Sequence, residues 1–182
     1  MKAQLFVLGL IATLAVPATA SAQRRMPHTD AGALGAEVGM FIPKQDGMGT
    51  SAEIAGFYEH YLSARDSVRA VFGWANPGVD SSTDQSVREI RVAGELIHNW
   101  EGGAVHPFLG AGLGAYFLQR HGANGNIDEG ATKLGGTLIA GVEYFTSKTF
   151  SIKGEGRYNV VSDWNAYNPS GLTLTIGVKS YF

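Results

Sequence analysis

Residues 149–160, which read TFSIKGEGRYNV, alternate between polar positions and apolar or glycine positions along their whole length. Side chains two residues apart share one face of a β-strand, so Lys153, Glu155 and Arg157 form a charged ladder. The opposite face, which includes Tyr158, carries no charge. Such a strand belongs either to a soluble barrel with its charges in water or to a membrane barrel with its charges inside.

The same two-residue period recurs through most of the chain and predicts an all-β fold. The eight predicted strands are 33–43, 50–62, 66–75, 86–98, 104–119, 131–145, 148–160 and 171–182. No long window keeps the spacing of an amphipathic helix. Gly, Asn, Asp, Pro and Ser dominate the longer segments between the strands, as turns require.

The predicted connections alternate between longer and shorter. In chain order they contain 6, 3, 10, 5, 11, 2 and 10 residues. A barrel with long loops at one end and short turns at the other end produces this alternation. The pattern therefore predicts an eight-stranded antiparallel up-and-down β-barrel.

The balance of charge on the polar faces favours the transmembrane form of this barrel. Seven acids and six bases lie on these faces, and ions buried in a lumen need such partners. The predicted lumen charges are Glu37, Glu53, Glu59, Glu89, Glu95, Glu143 and Glu155 with Arg69, Arg91, Lys133, Lys153, Arg157 and Lys179. Eight strands enclose only enough room for side chains, so we expect a narrow, salt-bridged interior.

Aromatic residues and strand length agree with a barrel that spans a membrane. Aromatic residues near the strand ends predict belts at two interfaces. The predicted belts are Phe41, Trp74, Tyr116, Phe117 and Tyr158 near the long loops, and Tyr61, Trp100, Tyr144, Phe145, Phe150, Tyr181 and Phe182 near the short turns. Strands of about ten residues, tilted by about 40°, span roughly 25 Å, the height of an outer-membrane apolar band.

The first residues have the form of a secretory signal. Lys2 precedes the apolar run 5–16, and a small-x-small cleavage site follows at 20–22. The run is too short to span a membrane as a helix. We expect 1–22 to be a cleaved signal peptide, 23–32 a short periplasmic lead and 33–182 the barrel.

Composition excludes several classes of function. The 182 residues include no Cys, which removes disulfides, thiolate metal sites and a Cys nucleophile. A formal net charge of −2 offers no basic field for nucleic acid. The five histidines lack metal-ligand spacing, and the glycine-rich 110–114 lies inside one strand rather than before a helix. We predict no catalytic residue, cofactor or metal, and no enzyme.

Three stretches carry a resemblance to a known family. Residues 106–116 (HPFLGAGLGAY) are similar to a PYxGxGxG strand, and 141–158 resemble the hairpin that follows it. The last segment, GLTLTIGVKSYF, ends in Tyr181 and Phe182 like a C-terminal insertion signal, with Ser180 where another apolar residue is usual. These features resemble small outer-membrane β-barrel domains of the OmpA-like, OmpX-like and OmpW-like kind.

The resemblance implies location in a cell outer membrane, after export by the signal peptide. It implies contact with outer-membrane lipid and lipopolysaccharide, and with the barrel-assembly machinery through Tyr181 and Phe182. It also implies a structural, adhesive or small-solute-permeation role. No peptidoglycan-binding domain is expected after Phe182.

The predicted function is a structural or surface-interaction barrel with a closed polar interior. Passive transport of small hydrophobic molecules is the first alternative, and a soluble lipocalin-like barrel that binds a lipophile is the second. A continuous apolar funnel would favour transport, whereas a filled charge network would favour the structural role. The long loops are the expected binding surfaces, with Trp164 and Tyr167 as exposed candidate contacts for a surface ligand that the sequence does not identify.

Overall fold

Eight β-strands follow one another along the chain in the computed structural model, which describes residues 27–79, 85–121, 127–164 and 167–182. The strands are β1 Gly32–Pro43, β2 Ser51–Tyr61, β3 Asp66–Ala75, β4 Ser86–Asn99, β5 Val105–His121, β6 Ile127–Phe145, β7 Phe150–Val161 and β8 Gly171–Tyr181. Every predicted strand is present, and all bounds except the start of β6 agree with the prediction to within two residues.

The sheet closes on itself as a barrel. Each strand pairs antiparallel with the next, and β1 pairs with β8 from Ala33↔Tyr181 to Pro43↔Gly171. Closure satisfies the backbone N–H and C=O groups that an open sheet edge would leave unpaired in lipid. The predicted up-and-down barrel is confirmed.

The β5–β6 hairpin is longer than predicted. β6 begins at Ile127, four residues before the predicted start, and β5 continues to His121 after a register shift at Arg120. The Gly- and Asn-rich composition of 120–130 predicted a loop. The two arms nevertheless stay paired, because the hydrogen bonds of an antiparallel ladder are made by the backbone and need no particular side chains.

Apolar side chains face outward and charged side chains face inward. Leu113 is 77% exposed and Leu134 is 74% exposed, whereas Lys153 and Arg157 are each 1% exposed. Water would make such an outer surface costly, and lipid makes it favourable. The soluble lipocalin-like alternative needs the opposite polarity and is therefore wrong.

The predicted aromatic belts are only partly correct. Phe41, Tyr61, Tyr116 and Phe145 are buried inside the barrel, and the Tyr181 hydroxyl hydrogen-bonds in the lumen. Position near a strand end says nothing about which face a side chain occupies, and these five lie on inward positions. The exposed aromatic residues from the predicted belts are Phe117, Tyr158, Trp100, Tyr144, Phe150 and Phe182, with Trp74 half-buried.

Glycines on the inner face make room for bulky neighbours. A Cβ atom at Gly112 would lie 2.7 Å from Cγ of Glu95, and one at Gly35 would lie 2.2 Å from the Phe57 ring. The glycine-rich stretch of β5 therefore gives space to lumen side chains, as its position inside a strand indicated.

Among the described residues, no helix is both long and apolar enough to cross a membrane. The predicted signal peptide and residues 23–26 of the predicted lead lie outside the described residues. Residues 80–84, 122–126 and 165–166 of the predicted long loops also lie outside them.

Substitution of the outer face tests whether that face meets lipid. Ile176, near the middle of β8, is exposed. We expect Ile176→Arg to lower the free energy of unfolding from a bilayer by about 2–4 kcal/mol, because an Arg near the midplane loses its hydration. Urea titration of vesicle-embedded protein, followed by tryptophan fluorescence, measures the loss.

Thr132→Arg is the matched control, since Thr132 is outward and near the long-loop end of β6. There we expect a cost of about 1 kcal/mol or less, because an Arg reaches the interface. If Ile176→Arg and Thr132→Arg lowered the free energy of unfolding by equally small amounts, the outer surface would not face lipid.

Candidate functional site

Buried charges fill the lumen of the barrel. Strand alternation brings twelve of the thirteen predicted lumen charges to positions at most 5% exposed. They are Glu37, Glu53, Glu59, Glu89, Glu95, Glu143, Glu155, Arg69, Arg91, Lys153, Arg157 and Lys179. Lys133 differs: it is half-buried opposite Tyr116 and forms no ion pair with any described residue. The prediction that Lys133 belongs to the lumen charge network is therefore wrong.

The middle of the lumen holds a neutral cluster of three carboxylates and three cations, which we call the central cluster. Its members are Glu37 on β1, Arg69 on β3, Glu95 on β4, and Lys153, Glu155 and Arg157 on β7. The charged ladder of β7 thus meets charges from three strands, none of which is its neighbour in the sheet.

Distances within the central cluster are those of direct ion pairs. Arg69 places Nε 2.8 Å from Glu95 and Nη1 2.9 Å from Glu155. Lys153 Nζ lies 2.6 Å from Glu37 and 2.9 Å from Glu155, and Arg157 contacts both Glu95 and Glu155. Each cation therefore has at least two anionic partners, which offsets the cost of burying the charges.

The end of the lumen near the short turns is closed by one cation between two carboxylates. Lys179 Nζ lies 3.0 Å from Glu59 and 2.9 Å from Glu143. Ser67 donates to Glu59 at 2.5 Å, and Ser151 donates to Glu143. The hydroxyls of Tyr61 and Tyr181 contact each other and this group, so rings and ions close this end together.

The end of the lumen near the long loops holds a less complete network. Arg91 Nη2 donates to Glu53 at 2.7 Å, and Thr173 donates to the other oxygen of Glu53 at 2.8 Å. Glu89 interacts electrostatically with Arg91, but its Oε2 atom is buried without a hydrogen-bond partner. The unpartnered Glu89 atom is therefore what makes the network less complete at this end.

A cavity of about 210 Å³ lies at the long-loop end of the barrel, and we call it the mouth cavity. All four long connections or the strand ends beside them contribute to its wall, including Met48, Val79, Val87 and Trp164. Tyr167 also lines it. The wall is mainly apolar, with charged residues from the β5–β6 hairpin.

The exposure predicted for Trp164 and Tyr167 is wrong. They are 9% and 8% exposed, and they pack in one cluster with Val87, Tyr116 and Leu118. Their backbones pair with each other through two hydrogen bonds of 2.8 Å, and both rings pack against inward residues of β4 and β5. Burial raises the pKa of the Tyr167 hydroxyl, which therefore stays protonated.

Sequence analysis missed the neutral members of the network. Ser67, Ser151, Thr173, Asn159 and Tyr116 all donate or accept hydrogen bonds inside the lumen. Four of them, all but Tyr116, have the same strand parity as the lumen charges on their own strands, which is the signal that could have found them. Tyr116 lies on β5, which carries none of those charges.

The arrangement suits a packed polar core. Among the residues that the structure describes, no group of three or more His, Cys, Asp or Glu side chains is placed to hold a metal ion. The functional groups of the central cluster bind one another, so they are not available to a substrate. Of the predicted insertion signal, only Phe182 faces outward, at 69% exposure.

Comparison with known sequences gives a match over nearly the whole chain. The profile of the outer membrane protein beta-barrel domain matches residues 6–182. No curated protein sequence matches the chain closely enough to count as a relative.

Solved structures of the same fold come from several bacteria. Neisserial surface protein A has a TM-score of 0.66 at 16% identity, over 84% of this chain and 96% of that chain. The N-terminal β-barrel domain of Pseudomonas aeruginosa OprF has a TM-score of 0.62 at 14% identity, over 86% of this chain and 100% of that chain. The attachment invasion locus protein Ail of Yersinia pestis has a TM-score of 0.60 at 15% identity, over 85% of this chain and 99% of that chain. Ail has also been solved with the heparin analogue sucrose octasulfate.

The pairing in the central cluster predicts that neutralising one of its carboxylates strongly lowers the stability of the barrel. Glu155→Gln keeps the shape of the side chain but leaves three cations with two anions. We expect the free energy of unfolding to fall by about 3–5 kcal/mol, because a buried charge loses its partner. Urea unfolding of the vesicle-embedded barrel measures the change.

Glu101→Gln is the control, because Glu101 forms an exposed ion pair with Arg65 at 3.5 Å. We expect a change of about 1 kcal/mol or less there. If Glu155→Gln lowered the free energy of unfolding as little as Glu101→Gln, the central cluster would not stabilise the barrel.

Proposed function

Because the chain belongs to the outer membrane protein beta-barrel domain family, we propose that it is a structural or surface-interaction barrel whose interior does not conduct. The filled lumen carries this proposal. Ion pairs or hydrogen bonds connect side chains at the short-turn end, in the middle and at the long-loop end. An ion that crossed the barrel would have to separate these pairs.

Export and assembly complete the proposal. Residues 1–22 direct the chain out of the cytoplasm, and 23–32 form a short lead before the barrel. The barrel-assembly machinery recognises the last strand through Tyr181 and Phe182. Phe182 suits this contact, because it is exposed and its backbone pairs with Gly32 at the seam between the first and last strands. The outer face then contacts lipid and, on the cell surface, lipopolysaccharide.

Passive transport of small hydrophobic molecules is the second candidate, and the mouth cavity is the observation in its favour. The cavity is apolar, but no residue of the central cluster lines it. A transported molecule would meet the Glu53–Arg91 pair and then the central cluster. The structural role therefore remains the leading proposal, without an enzymatic activity.

The charge of the long connections favours a basic surface partner. Residues 44–49, 76–85, 120–130 and 161–170 carry two bases and six acids. Opposite charges attract across an interface and like charges repel, so a polyanion such as the heparin analogue bound to Ail fits this end poorly. We propose a partner with a basic surface instead.

Conductance tests the closed interior. The barrel is reconstituted in planar lipid bilayers after gel mobility, boiled against unboiled, has shown that it is folded. We expect no single-channel current steps, because paired side chains fill the lumen. Glu95→Ala combined with Arg157→Ala removes both partners of a central pair and should open a water path that gives steps. Steps of equal size in the unmodified barrel would contradict the proposal.

Charge reversal tests the surface interaction. In neutral detergent we expect the folded barrel to bind immobilised polylysine, to ignore heparin, and to release polylysine as salt rises. Asp46→Lys with Asp163→Lys, both exposed at the long-loop end, should weaken polylysine binding severalfold. Glu101→Lys, at the short-turn end, is the control and should have a smaller effect. Heparin binding by the unmodified barrel would overturn the proposed partner class.

A further inference from the structure

The mouth cavity has the size of a small-molecule site. An apolar cavity of about 150 Å³ holds one benzene molecule, so one of about 210 Å³ holds a single ring with a short substituent. Trp164 and Tyr167 stand edge to face at 86°, and Met48 packs against their cluster. Aromatic edges and a thioether are favourable neighbours for an aromatic ring.

Two buried polar atoms without hydrogen-bond partners lie at or beside this apolar wall. Tyr167, more than nine-tenths buried, has a hydroxyl with no hydrogen-bond partner among the described residues. Glu89 interacts electrostatically with Tyr167, and its Oε2 atom is also buried and unpartnered. Buried polar groups in folded proteins are nearly always hydrogen-bonded, so these two indicate a missing partner.

We propose that the mouth cavity binds a small neutral aromatic molecule that carries one O–H or N–H donor, of the phenol or indole class. The ring lies among Met48, Val87 and Trp164, and the polar group bonds with the Tyr167 hydroxyl. Both unpartnered atoms are oxygens that can accept a hydrogen bond, so a donor group fits this position better than an anionic group. This inference goes beyond the proposed function, because a closed barrel can hold such a molecule without passing it.

The methionines allow the cavity and the lipid to be observed separately. Met48 lines the cavity, whereas Met40 is 44% exposed on the outer face. The barrel, labelled with ¹³C at its methionine methyl groups and placed in lipid nanodiscs, is titrated with phenol. We expect the Met48 signal to shift and saturate, while the Met40 signal changes only in proportion to phenol dissolved in lipid. Parallel, unsaturated shifts of both signals would overturn the proposal.

Matched variants test the hydrogen bond. Tyr167→Phe keeps the ring but removes the hydroxyl, and we expect about 3- to 10-fold weaker phenol binding, the loss of one hydrogen bond. Tyr158→Phe makes the same change on the outer face and should leave binding unaltered. Val79→Trp fills the cavity from its loop wall and should abolish the saturable shift.

Probe chemistry tests the ligand class. Toluene lacks the donor and cyclohexanol lacks the aromatic ring, so each should bind the unmodified barrel more weakly than phenol. Tyr167→Phe should remove the preference for phenol over toluene. Equal binding of toluene and phenol by the unmodified barrel would overturn the polar part of the site, and equal binding of cyclohexanol would overturn its aromatic part. Heat-shifted gel mobility confirms that each variant is folded.

Discussion

Pairing of charges inside a narrow, closed lumen is the interaction on which the rest of this structure depends. The outer face is apolar, and twelve charged side chains lie inside the barrel, each at most 5% exposed. There they lose water, and only close partners offset that loss. The central cluster meets this need with three anions and three cations, each cation touching at least two carboxylates.

The same pairing links strands that the sheet itself keeps apart. Backbone hydrogen bonds join each strand only to its two neighbours, whereas the central cluster joins β7 to β3 and β4 across the lumen. Small inner residues such as Gly112 let the long side chains meet there. This packing supports the proposed function, because a lumen filled by the barrel's own side chains suits a structural or surface role better than conduction.

The two ends of the lumen differ in how completely their polar groups are satisfied. At the short-turn end, hydroxyls of serine and tyrosine complete the environment of Lys179 and its two carboxylates. At the long-loop end, Glu89 and Tyr167 keep unpartnered atoms near an apolar cavity. The end that faces the long connections is therefore the one that can accept a small molecule from outside the chain.

The sequence by itself determined the eight strands and their antiparallel order, because a period of two is a local property of a strand. The inward direction of the charges followed from their balance and from the strand length, which suit a barrel that spans a membrane. Twelve of the thirteen predicted lumen charges, Glu155 and Arg157 among them, are at most 5% exposed. Only the tertiary structure decided that Lys133 stands apart, that Trp164 and Tyr167 turn inward, and which carboxylate meets which cation. These outcomes depend on contacts across the lumen between residues distant in sequence, and strand parity carries no information about such distances.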